Sequence, residues 1–236
     1  MDLDDIIAAQ MSGGPYIVDD GVAEELLATV SDAGQEEELR GLAAICLGPP
    51  LELADIDGFE DPDSEQTVPI TEPMFVRIKE SLHRLYLDPA TPKQVLRRVL
   101  EAAVRAPEEW QKDAVRTAYA SGDREWVLTA VFAMRFLEGF DKQILEAIKN
   151  PDEEIHAEAV MAAGAGEVEA AWPHIRSLVE DKQTPKPLLL AAIDAVGNMR
   201  PAKAKDILRH LARSKDEDIV DAVEEATMLD EVEDDF

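Results

Sequence analysis

Residues 155–166, Ile-His-Ala-Glu-Ala-Val-Met-Ala-Ala-Gly-Ala-Gly, and residues 188–197, Leu-Leu-Leu-Ala-Ala-Ile-Asp-Ala-Val-Gly, follow one pattern. Each opens on a large apolar residue and places alanine four and seven residues later. Offsets 0, 4 and 7 fall on one face of an α-helix, and small residues on that face let a neighbouring helix come close. The opening column extends along the chain as Leu39, Val95, Trp126, Ile155, Leu188 and Ile219. From Val95 the spacings are 31, 29, 33 and 31 residues. The first gap, 56 residues, equals one repeat plus an insertion of about 23. Offset 4 carries Ala43, Val99, Ala130, Ala159, Ala192 and Val223; offset 7 carries Cys46, Ala102, Ala133, Ala162, Ala195 and Ala226.

Start signals precede these helices. Thr91-Pro92-Lys93-Gln94, Asn150-Pro151-Asp152-Glu153 and Thr184-Pro185 place a capping side chain just before a proline expected at the first helical position. Other helices are expected to begin at Asp123 and within 214–218. A second apolar-periodic segment lies ahead of each, for example Ile144/Leu145/Ile148 and Ile175/Leu178/Val179. The unit is helix, short turn, helix. The expected fold is all-α, a right-handed α-α superhelix (α-solenoid) of about six helix pairs.

The ankyrin Thr-Pro-Leu-His turn and the tetratricopeptide Trp/Leu-Gly/Tyr pattern are missing from the sequence. The two quoted helices instead resemble HEAT repeats, particularly the short alanine-rich kind of phycobilin lyases, and 107–134 resembles bacterial HEAT-repeat proteins of unassigned function. The resemblance covers 73–230 well and 22–48 weakly. It implies a fold and a binding habit and transfers no activity.

Outside the repeats, residues 1–21 are expected to form a short helix (Leu3 to Met11) and a turn that cap the first repeat, 22–48. Residues 49–71 contain Pro49, Pro50, Pro62 and Pro69 among seven acids and no base. This insertion is expected to be a long loop, either solvated or docked through Leu51, Leu53, Ile56 and Phe59. Five repeats occupy 72–231, and an acidic tail, 232–236, follows.

The net charge of −28 is uneven: residues 1–72 hold 19 acids and one base, Arg40, residues 216–236 hold 11 acids and no base, and the middle is nearly neutral. Such a field repels phosphate backbones, so a nucleic-acid partner is not expected; a basic segment of a protein is the favoured kind. The basic groove of HEAT-like alkylpurine DNA glycosylases has no counterpart in this charge balance. No apolar run approaches the roughly 20 residues of a membrane span. The acidic start, Met1-Asp-Leu-Asp-Asp-Ile, is unlike a secretory signal, and a cytoplasmic protein is expected.

Candidate chemistry is sparse. Asp55-Ile-Asp57-Gly58 resembles the middle of a calcium loop, but that alignment puts Leu53 and Ser64 where two key ligands belong. His83, His156, His174 and His210 are dispersed over four repeats and are expected to lie apart. HEAT-like deoxyhypusine hydroxylases carry adjacent His-Glu pairs, whereas Ala157 separates His156 from Glu158. Cys46 occupies a packing column and is expected to be an inert core thiol. Trp110, Trp126 and Trp172 are expected in the core. No cofactor, metal site or enzymatic activity is expected.

Offsets 2, 6 and 9 lie roughly opposite 0, 4 and 7 and are expected to face the concave side. Leu128, Phe132, Ala157, Met161 and Leu190 occupy such positions, with Arg97 before them, Arg135 among them and Asp194 after. An apolar strip edged by arginines has the composition of an interaction surface. The alternatives are that Leu128 and Leu190 wedge between repeats or that the acidic insertion covers the strip. The expected function is a non-catalytic scaffold or adaptor that binds a protein partner, with a phycobilin-lyase-like enzyme or enzyme accessory as the alternative.

Overall fold

The computed structural model describes residues 3–59 and 68–228. Fourteen α-helices and one short 3-10 turn make up the regular structure of these residues, with no strand among them. The chain forms two compact units, Met1–Arg116 and Thr117–Phe236.

The first unit contains α1 (Leu3–Ser12), α2 (Asp20–Ser31), α3 (Glu37–Cys46), α4 (Gly48–Asp57), α5 (Glu72–Leu87) and α6 (Lys93–Ala103). Helix α2 pairs with α3 and α5 with α6; α3 then packs on α6, and α2 on α5. Helix α1 packs on α3, and its Ile6 and Ile7 are buried. Arg40, the one base in the acidic N-terminal stretch, is 5% exposed, and its Nε donates to the Val30 carbonyl at 2.9 Å. A guanidinium there satisfies an otherwise orphaned carbonyl in the last turn of α2 and meets the negative end of its dipole.

The expected loop at 49–71 differs from the structure in its first half. Pro49 and Pro50 stand in the first turn of α4, where proline lacks only a hydrogen bond that no helix makes. Leu51 and Ala54 are buried and Leu53 is half-buried, while Ile56 faces solvent. Phe59 meets the edge of Phe75 with ring centres 5.6 Å apart. Residues 60–67 and the acidic tail lie outside the described residues.

Helix α7 (Glu109–Ala120) holds the boundary between the units. The second unit continues with α8 (Arg124–Ala133), α9 (Asp141–Ala147), α10 (Glu153–Ala165), the 3-10 turn Glu169–Ala171, α11 (Trp172–Glu180), α12 (Lys186–Met199), α13 (Pro201–Leu208) and α14 (Glu217–Met228). The second helices of the pairs stand side by side in the order α8, α10, α12, α14, with α9, α11 and α13 packed behind them.

Asp123 caps α8 and α14 begins within 214–218, as expected, while the other three start signals act one or two residues from where the sequence pattern placed them. Asp123 and Asp152 cap α8 and α10 by accepting from the amides of the second and third residues that follow. Asn150 accepts from the Asp152 amide instead, at 2.9 Å, forming a turn ahead of the cap. Pro92 and Pro185 are themselves the cap residues of α6 and α12, because Thr91 is buried and the Thr184 hydroxyl donates to the Leu178 carbonyl.

Offsets 4 and 7 are buried in every second helix. Offset 0 is fully buried only at Val95 and Ile155; Leu39, Trp126, Leu188 and Ile219 are half-buried at the helix starts. Offset 9, expected on the outer side, is a packing position. Gly164 is so close to α12 that a Cβ added to it would lie 2.6 Å from the Ala195 Cα. A Cβ on Gly197 would lie 3.0 Å from the Ala226 Cα, and one on Gly48 3.5 Å from the Ala102 Cα. At Gly164 and Gly197, offset 9 of one second helix receives offset 7 of the next; Gly48 opens α4, and a Cβ there would first meet the Arg105 side chain, 2.6 Å away. The buried face is therefore wider than the pattern 0, 4, 7, since a second helix inside the row, such as α10 or α12, touches two neighbours in that row as well as its own partner.

Gly164→Ala is expected to lower stability by about 1–3 kcal/mol, because the close backbone of α12 must move aside. Chemical denaturation checks this against Ala165→Ser on an exposed position of the same helix, which should change stability by less than about 0.5 kcal/mol.

Candidate functional site

The row of second helices in the second unit presents offsets 2 and 6 away from the core. Leu128 and Phe132 project from α8, Ala157, Glu158 and Met161 from α10, and Leu190 and Asp194 from α12. Leu128, Phe132, Met161 and Leu190 are all half-buried, as is Arg135 just beyond the end of α8. Phe132 and Phe136 meet at 5.4 Å between centres with planes 55° apart. The Arg135 guanidinium carbon lies 5.7 Å from one ring centre and 5.9 Å from the other. Its Nη1 is 3.9 Å from a Glu158 carboxylate oxygen. One cation is thus placed over two aromatic faces, where ring quadrupoles attract it.

Asp194 closes the apolar row. Burial pushes its carboxyl above the ordinary carboxylate value and the Glu225 charge on α14 adds to that, while Arg135 and a hydrogen bond with Asn198 act in the opposite sense. A carboxylate held this way gains from any further cation brought beside it.

Arg97 does not share this arrangement. It lies in the first unit and is 4% exposed, with Nη1 donating to Gln94 at 3.4 Å and Nη2 3.7 Å from Glu101. Its side chain is buried on α6, so a position that the helical wheel turns outward is core here.

Two open clefts occur in the first unit. One of 520 Å³ lies between α2 and α5, lined by Glu24, Arg77, Ser81, Arg84 and Asp88 among others, with Arg77 paired to Glu24. The other, of 390 Å³, lies between α3 and α6 against Glu37, Glu38 and Arg98. Asp55 and Asp57 belong to the last turn of α4, so they form no ligand loop. Among the described residues no three His, Cys, Asp or Glu side chains converge as a metal cluster, and no helix is long and apolar enough to cross a membrane.

The histidines are less dispersed than their spacing indicates. His156 Nε2 and His174 Nε2 are 2.8 Å apart, with ring centres 5.0 Å apart and planes 34° apart. Burial holds both below the ordinary imidazole value, and for His156 the charge of His174 adds to this. His83 stacks on Trp110 at 4.5 Å, and His210 Nε2 donates to the Val179 carbonyl at 2.8 Å. The three tryptophans are half-buried rather than fully enclosed; Trp172 lies under the Arg200 guanidinium at 4.9 Å.

Cys46 is fully buried beside Tyr16. Burial pushes its thiol up to about 11 and the Tyr16 hydroxyl up to about 12.

With this geometry in view, residues 142–227 match the family model of HEAT repeats. A solved structure of human deoxyhypusine hydroxylase in complex with glycerol is similar with a TM-score of 0.44 and 17% identity, covering 91% of this chain and 75% of that one. No curated protein sequence matches.

At pH 8 only roughly a thousandth of Cys46 is expected to be thiolate, and none of it accessible. A chromogenic thiol reagent should therefore leave Cys46 unmodified in the native protein and titrate one thiol after denaturation. Rapid modification of native protein would contradict its placement in the core.

Proposed function

For a chain that carries HEAT repeats over residues 142–227, we propose a scaffold or adaptor that holds a protein partner across α8, α10 and α12. The observation that supports this is the half-buried row Leu128, Phe132, Met161 and Leu190, with Arg135 lying on the two phenylalanine rings. Aromatic residues, methionine and arginine are the types enriched where proteins meet. The partner presents an apolar ridge to Phe132 and Met161 and a basic residue to Asp194 and Glu225. That charge order agrees with the strongly acidic chain, whose field draws in basic segments and turns nucleic acid away. The function is binding, without catalysis.

Phe132→Glu together with Met161→Glu is expected to leave helicity and thermal unfolding unchanged and to abolish capture of the partner. Asp194→Asn with Glu225→Gln should weaken capture at low salt and have less effect at high salt, where screening already removes the charge contribution. Quantitative affinity purification of wild type and both variants, read by mass spectrometry, checks each outcome. Unfolding of the first variant would place the two side chains in the core, and undiminished capture would place the partner elsewhere.

A further inference from the structure

His156 stands in the first turns of α10 and His174 in the first turn of α11, 18 residues apart in sequence and joined nitrogen to nitrogen. We propose that the two imidazoles form a clamp for a late first-row divalent cation, Cu2+ most tightly and Zn2+ next, at a site separate from the α8–α10–α12 face.

Three observations lead there. The first is spacing. Two imidazoles bound to tetrahedral zinc through nitrogens at 2.0–2.1 Å have ring centres about 5.2 Å apart and nitrogens about 3.3 Å apart. The ring centres here are already 5.0 Å apart, and the nitrogens 2.8 Å apart. Turning each ring to aim beside its partner instead of at it opens the nitrogens by the remaining half ångström or so without moving the helices.

The second is protonation. The contact of 2.8 Å between the two Nε2 atoms requires one of them to present a bare lone pair, which is the form that ligates. In the free protein one Nε2 carries a hydrogen and donates it to the other. On metal binding that hydrogen moves to Nδ1 of the same ring, so no net proton is lost and both Nε2 lone pairs become available. The third is the donor type. Two imidazole nitrogens favour copper, nickel and zinc over magnesium and calcium, and copper heads the order of affinity. Both side chains are half-buried, so water completes the coordination sphere.

The test is titration of the full chain with Cu2+ and with Zn2+, in excess Mg2+ to occupy the acidic surface, for wild type, His156→Ala, His174→Gln and the double variant. Wild type should bind one equivalent of Cu2+, with an electron paramagnetic resonance spectrum split by two imidazole nitrogens. Each single variant should lose affinity by at least the roughly 10- to 100-fold that outer-shell changes cost, and should retain one nitrogen. Nitrogen-15 spectra of wild type give a readout independent of any variant: Zn2+ should shift the Nε2 signals of His156 and His174 together and leave those of His83 and His210 in place. The proposal is overturned if the folded double variant binds Cu2+ as tightly as wild type. It is equally overturned if Zn2+ leaves the paired Nε2 signals unmoved.

Discussion

The approach of Gly164 to Ala195 sets the spacing on which the second unit depends. A glycine at offset 9 leaves no side chain between α10 and α12, so the helix backbones stand closer than any Cβ would allow. The same pairing recurs between Gly197 and Ala226. With backbones this close, the side chains that fill the remaining space must be small, and the buried columns are accordingly alanine and valine. The larger apolar residues are then left for the layer between first and second helices, where Ile144, Ile175 and Leu208 are buried. Each such side chain contributes about 1.5–3 kcal/mol when fully removed from water.

A row held at fixed spacing also fixes what lies at its ends and on its open side. At the helix starts, Arg124 bonds to Asp152 at 2.7 Å and also pairs with Glu154, while Lys186 bonds to Asp216 at 2.7 Å and Asp218 at 2.5 Å. In both cases a base two residues before the column of one helix meets acids three and one residues before the column of the next. These pairs are exposed and salt-screened, so they set alignment more than stability. On the open side, the same repeat places Phe132 beside Met161 and Asp194 as successive offset-6 residues.

The helix pairs were legible in the sequence because the alanine columns repeat at nearly constant spacing and burial follows them. Three features were not. Helical periodicity locates the face turned to a partner helix, but it carries no information on the neighbours to either side; Gly164 and Arg97 therefore counted as outward positions although both are packed. Pro49-Pro50 has the composition of a loop and also of a helix start, and only the burial of Leu51 and Ala54 decides for the helix. The meeting of His156 with His174 depends on how the turn 166–171 folds back, and no residue pattern encodes that distance. Phe132 and Met161, in contrast, were marked by being apolar or aromatic where a solvent-facing helix is usually polar, and they stand half-buried on the adjoining helices α8 and α10.

The partner site proposed above is the α8–α10–α12 face rather than the layer of first helices behind it. Site-specific photo-crosslinking in the source cell tests it most directly, with the reactive side chain placed once at Met161 and once at Lys203, an exposed position on α13. The account predicts one discrete crosslinked protein from position 161 and none from position 203. The same product from both positions, or a product from 203 alone, would contradict it.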